Sequence, residues 1–161
     1  MSKKRRPKKA HRVPASAATV PQPRRTPRVE AAVDVHELKP AWSFAYLDLD
    51  WGDTAENGCG WIHLDPGDHR ELHERFKAWE TMTWGEILLA RGSPSHRIPV
   101  GRCSKQAQAR LRALKLEDID ELVSLRVNSV ARVFGVLDQG IFRIMWWDQN
   151  HQVCPSKLKR T

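Results

Sequence analysis

The chain has 161 residues and a formal net charge of +8, with 27 Lys and Arg against 19 Asp and Glu. That length supports one domain with a modest core, and no run nears the roughly 18–20 apolar residues of a membrane span. Three cysteines, Cys59, Cys103 and Cys154, form neither a paired framework nor a CxxC motif, which argues against a disulfide scaffold and for a reducing, cytoplasmic setting.

The charge is unevenly placed. Residues 1–28 hold 4 Lys and 6 Arg and no acid, giving +10; residues 29–121 carry −6 and residues 122–161 carry +4, which together make +8. Residues 1–38 are rich in Pro, Ala, Lys and Arg and nearly lack large apolar side chains. Burial there cannot offset chain entropy, so a disordered basic tail is predicted. Its Lys3, Lys4, Arg5, Arg6, Lys8 and Lys9 are candidate phosphate contacts, the alternative being a merely solubilising extension. It has no apolar stretch of the kind a secretory signal needs. Residues 40–161 are read as a single folded domain.

Order is expected to begin near Trp42. Residues 43–49 alternate Phe44 and Tyr46 against Ala45, Leu47 and Leu49, which predicts a strand. A turn-rich loop over 51–60 and a short strand over 61–64 follow. Pro66-Gly67-Asp68 opens a helix to about Trp79, with Leu72, Phe76 and Trp79 at helical spacing. Thr83 and Glu86 match a capping box for a short helix to about Ala90. Residues 92–101, interrupted by Pro94 and Pro99, read as a loop. Ser104 caps a helix over 105–115, and one further turn covers 117–121.

Residues 122–155 then read as three antiparallel strands, joined at Asn128-Ser129 and at Asp138-Gln139-Gly140. The predicted fold class is α+β: helices on one face of a C-terminal antiparallel β-meander. A two-residue first turn and a three-residue second turn sort the side chains into two faces. Leu125, Val127, Val130, Phe134, Val136, Phe142, Ile144 and Trp146 make the core face. Ser124, Arg126, Ala131, Val133, Gly135, Arg143, Met145 and Trp147 make a solvent face. A groove floored by Ala131 and Gly135, with guanidinium forks for phosphate and an indole for base stacking, suits a nucleotide strand. Arg132 is the exception, a cation on the apolar face opposite Trp146.

The block Leu125-Arg126-Val127, Arg132-Val133, 141–147 and His151 resembles the catalytic half of the RelE/YoeB/ParE superfamily of small toxins, whose two helices precede a curved antiparallel sheet. The resemblance implies a RelE-like fold over about residues 66–155 and a metal-independent endoribonuclease, or mRNA interferase, acting on RNA or the ribosome. It further implies an antitoxin partner, Arg132 on the scissile phosphate, and His151 as acid or base. The family's C-terminal Tyr is absent here; Cys154-Pro155 stands near its place, and Asp148 is an added acid.

The residues themselves allow the same chemistry. An imidazole suits proton transfer near neutrality, making His151 the acid–base candidate. Asp148 would orient it or act as base, and Arg126, Arg132 and Arg143 would hold phosphate. The competing reading makes residues 148–152 a turn in which Asp148 caps local amides. Cys59, His63, His69 and His73 have a zinc-like spacing, although a solvated helix face explains the last two as well; no cofactor or metal is assigned. The functional alternative is a non-catalytic nucleic-acid or ribosome-binding protein using tail and sheet.

Overall fold

Three helices begin where the sequence reading opens them in the computed structural model, which describes residues 33–54 and 56–155. The first, α1, spans Pro66–Glu80; the Asp65 carboxylate accepts from the Asp68 amide while Asp68 accepts in return from that of Asp65. The same reciprocal cap, Thr83 with Glu86, starts α2 at Trp84–Leu88. Ser104 accepts from the Ala107 amide to start α3, Lys105–Ala113. Each cap satisfies amides that have no partner within the helix. Among the described residues no helix is long and apolar enough to cross a membrane.

The strands form one mixed sheet in the order β1-β5-β4-β3-β2 among the described residues. The meander is β3 (Glu121–Arg126), β4 (Arg132–Asp138) and β5 (Ile141–Asp148), antiparallel throughout. The predicted strand over 43–49 is replaced by a shorter β1, Ala41–Ser43, which runs parallel to β5. The predicted strand over 61–64 is a 3-10 turn, Trp61–His63. The predicted loop over 92–101 contains an edge strand, β2 (His96–Pro99), antiparallel to β3. Its closing proline and its polar neighbours suit an edge, where no further strand adds.

Backbone order also starts earlier than predicted. Val35–Glu37 forms a 3-10 turn capped by Asp34, and Leu38 accepts a hydrogen bond from the Trp84 amide at 2.9 Å. The basic residues Lys3, Lys4, Arg5, Arg6, Lys8 and Lys9 lie outside the described residues.

Both turns of the meander differ from expectation, and the differences move side chains between faces. The second turn has two residues, with Gln139 at φ 49° and Gly140 at φ 86° between the paired Asp138 and Ile141. Two positive φ angles mark a type I′ turn, whose twist matches the strands. The first turn is wider: Arg126 pairs with Arg132, so residues 127–131 make the connection. A bulge follows. Gly135 pairs with Ile144 but Phe134 with Trp146, which leaves Met145 as the extra residue on β5.

The bulge puts Met145 and Trp146 on one face and returns Trp147 to the face of Phe142 and Ile144. Neither face is wet. Val123, Leu125, Val133, Phe142, Ile144 and Trp147 pack with Leu72 and Trp79 of α1 and with Trp84 and Ile87 of α2. Leu122, Phe134, Met145 and Trp146 pack with Ala107 and Leu111 of α3 and with Trp51 and Cys59 from the 46–60 segment. Helices therefore cover both faces of the sheet, a correction to the single covered face. The cause is visible in the paired apolar residues Leu122-Val123, Val133-Phe134 and Trp146-Trp147, which a central strand carries only when both its faces are buried.

Candidate nucleic-acid interface

With the sheet sandwiched, the only part of the meander's basic set that reaches the surface together is at the β3–β4 turn. That turn is built around Asn128. Its side-chain oxygen accepts from the amides of Val130 at 2.8 Å and Ala131 at 2.7 Å, while its side-chain amide donates to Glu71 at 2.7 Å. A side chain that imitates a backbone turn is a common use of asparagine. The Ala131 carbonyl still accepts from the Val127 amide at 3.1 Å, but the loop turns the Asn128 and Val130 carbonyls out of the ladder, and these must be satisfied. Two arginines do so. Arg126 donates through Nε to the Asn128 carbonyl at 2.8 Å. Arg132 donates through Nη1 to the carbonyls of Asn128, Val130 and Ala131 at 3.0–3.1 Å.

Arg126 and Arg132 face each other across the strands, a like-charge pairing that is unfavourable by itself. Burial first, and then the Arg126 charge, lower the proton affinity of the Arg132 guanidinium, with Asp148 acting in the other direction. Arginine stays charged through such shifts. Both side chains spend their hydrogen bonds on neutral carbonyls, and neither belongs to an ion pair among the described residues. Two cations thus sit together at a surface without a direct ion pair among the described residues, and only the nearby Asp148 carboxylate offsets the Arg132 charge.

Asp148 extends this row, since it pairs with Arg132 on the far strand. Its carboxylate is completely buried, however. It accepts from the amides of Asn150 at 3.1 Å, Gln152 at 3.0 Å and Val153 at 2.9 Å. That is the capping geometry, and it leaves the carboxylate no room to take a proton from a substrate. His151 is half-buried in the loop so tied down, with a left-handed φ of 56° that a side chain seldom adopts.

Two expected groove residues are elsewhere. Trp147 is 1% exposed within the α1 core, 6.3 Å from the Trp61 ring, so it offers no surface for a base. The bulge places it on the α1 side, and the cover on both faces of the sheet would bury it on either. Arg143 pairs with Val136, four residues along β4 from Arg132, or about 13 Å at strand rise. Its guanidinium donates to Asp138 at 2.9 Å and to the Tyr46 hydroxyl at 3.1 Å, and lies 5.4 Å from the Tyr46 ring centre. Its charge is already matched. The groove floor is closed as well, because Ala131 is buried in the α1-side core and Gly135 lies against Phe142.

The zinc-spaced residues are dispersed in role. Cys59 is fully buried, its thiol held protonated by burial first and by the neighbouring Asp148 carboxylate second. His63 lies 3.0 Å from the Gly52 carbonyl, and His69 and His73 are exposed on α1. Among the described residues no group of three or more His, Cys, Asp or Glu is placed to hold a metal ion.

The structure adds two cations that the sequence reading passed over. Arg75 of α1 donates through Nε to the Val127 carbonyl at 2.9 Å, and Arg91 follows α2; both line the same hollow as Arg126. Arg75 had a legible signal. It stands at 75 beside the stripe 72-76-79, at the border of the apolar face, where an exposed side chain can still reach a neighbouring carbonyl through Nε. On the other side of Asn128 and Ser129 lies a second hollow lined by Asp68 and Glu71, so this turn divides a basic surface from an acidic one. No family model, curated protein or solved structure matches the chain.

Proposed function

We propose that the protein binds RNA without cleaving it, using the positive end of the meander together with its basic N-terminal residues. The observation that supports this most is the cross-strand pair Arg126–Arg132, two cations at the surface with no direct ion pair and only Asp148 nearby to offset them, while Arg97 and Arg143 of the sheet are each paired with a carboxylate. Phosphate oxygens are the ligand that paired guanidinium groups recognise by geometry. Residues 1–28, with +10 and no acid, add attraction without sequence preference.

An Arg132→Ala variant should bind a short single-stranded RNA roughly tenfold more weakly at low salt, and the slope of log affinity against log salt should flatten by about one phosphate contact. Fluorescence anisotropy measures both, and a thermal melt checks that the turn survives loss of three carbonyl contacts. Equal affinity in wild type and variant would remove the sheet from the proposal.

A second reading retains the ribonuclease. It is favoured by one arrangement: Arg126, Arg132 and Asp148 occupy one row across three strands, and His151 lies in the loop that Asp148 holds. In this reading the arginines stabilise the phosphate and His151 alone moves the proton, with Asp148 fixing the loop. The partner would be an antitoxin covering the basic end. Induced expression in a bacterium, with RNA ends mapped, should then show cleavage that His151→Ala reduces by 10²-fold or more. Unchanged cleavage in the variant contradicts it.

A further inference from the structure

We propose that the hollow beside the Arg126–Arg132 pair is a nucleotide pocket, which takes a terminal phosphate monoester together with its nucleoside. It encloses about 510 Å³, within the range of roughly 300–1,000 Å³ usual for small-molecule sites. That is far more than a phosphate alone needs. Four segments line it: the second half of α1, α2, the 91–95 loop and the β3–β4 turn. Walls from four segments suit a chain end or a free nucleotide better than the middle of a strand passing across a surface.

The lining has two chemistries. Arg75, Arg91 and Arg126 supply three positive charges against the single carboxylate of Glu86, a local balance of +2. Glu86 is committed to the α2 cap, accepting from the Thr83 amide at 2.7 Å. Arg75 and Arg126 are anchored through Nε to the carbonyls of Val127 and Asn128, which fixes each guanidinium and leaves its Nη groups without a hydrogen-bond partner among the described residues. The edges of Trp79, Met82 and Ile87 form the apolar part. Positive charge beside an apolar wall fits a phosphate carrying a flat, poorly hydrated body.

The loop geometry serves the same end. Gly92, at φ +78°, reverses the chain directly after Arg91, and a Cβ there would meet nothing within 4 Å. Ser95 accepts from the Arg126 amide at 3.1 Å and ties the loop to β3. A monoester carries about −1.5 to −2 charge at neutral pH, more than an internal phosphodiester, so a three-arginine site prefers an end.

This inference deepens the RNA-binding reading but is testable apart from it. Calorimetric titrations of the full chain would use adenosine 5′-monophosphate, adenosine, and one short RNA made with a 5′-phosphate, a 3′-phosphate or neither. The expected result is binding of the monophosphate but not of adenosine, and at least tenfold tighter binding of one phosphorylated RNA than of the unphosphorylated one. Arg91→Ala should abolish both differences. Arg91 is exposed and makes no side-chain hydrogen bond or ion pair among the described residues, so its loss leaves the fold intact. If the monophosphate binds and no RNA does, the pocket stands with a free nucleotide as its ligand and the RNA reading falls. Equal affinity for all three RNAs, with no binding of the monophosphate, overturns the pocket.

Discussion

A Gly135→Ala variant is expected to lose about 3 kcal/mol or more of stability, the upper end of what overpacking costs. Gly135 sits in the middle of β4 at the bulge, paired with Ile144. A Cβ there would come 2.3 Å from the Arg143 carbonyl oxygen and 2.6 Å from the Phe142 ring. The first neighbour is backbone of the adjacent strand, and the second is fully buried among α1 and α2 residues. Neither can move without opening the sheet. Gly101→Ala is the matched control, because no atom lies within 4 Å of its added Cβ and its φ is not positive; its effect should stay within about 0.5 kcal/mol. Urea unfolding monitored by tryptophan fluorescence reads both as midpoint shifts at constant slope.

The second large effect concerns Asp48. Its carboxylate, 3% exposed, accepts from Arg110 Nε at 2.8 Å and Nη2 at 2.6 Å, and from the Trp146 indole at 3.0 Å. This fork pins α3 and the 46–60 segment onto the face of the sheet that carries Phe134 and Trp146. Asp48→Ala would leave a buried indole N–H without an acceptor and a largely covered guanidinium without its counter-charge. The expected loss is about 3 kcal/mol, the lower end for breaking a buried pair, because Arg110 keeps contact with water.

The pH dependence follows from the same contacts. Burial pushes the Asp48 carboxyl up, but the hydrogen bonds from Arg110 and Trp146 and the Arg110 charge outweigh it and hold the group below its ordinary 3.8. A folded-state value lower than the unfolded one means the contribution is complete above that ordinary value. It is then lost as pH falls through the folded value. Thermal midpoints of wild type and Asp48→Asn should therefore converge as pH drops below about 4. A constant gap down to acid unfolding would contradict this account of the pair.

Much of the fold could be read before any coordinates, and the reasons for the failures are physical. The Pro66-Gly67-Asp68 opening and the caps at Thr83 and Ser104 are local chemistry, complete within four residues, so α1, α2 and α3 began where expected. Strand existence was legible only in the meander; the strand expected over 61–64 is a 3-10 turn, and β2 lies in an expected loop, because short segments at the sheet edge are decided by what they pair with. Face assignment was not local. It depends on an uninterrupted period of two, and a single extra residue at Met145 reversed everything beyond it, moving Trp147 to the α1 face and placing Asp148 opposite Arg132. Asn128 caused the other shift, since one side-chain oxygen accepting two amides makes a five-residue connection stable where a two-residue turn was expected.

The candidate site was legible in part. Arg126 and Arg132 share one end of the sheet. Asp148 belongs to a capping loop, which the run Asp-Gln-Asn-His-Gln already allowed, and Arg143 is held by Tyr46 and Asp138. Arg75 and Arg91 come from elements distant in sequence, and only the tertiary packing brings them beside β3.

Mapping backbone amide shifts by NMR while titrating a short single-stranded RNA into the full chain tests the central claim most directly. RNA binding at the positive end of the meander predicts the largest changes at residues 126–132, with smaller ones at 75, 91–95 and 149–152. Changes confined to the N-terminal basic residues, or centred on the Tyr46–Arg143 end of the sheet, would contradict it.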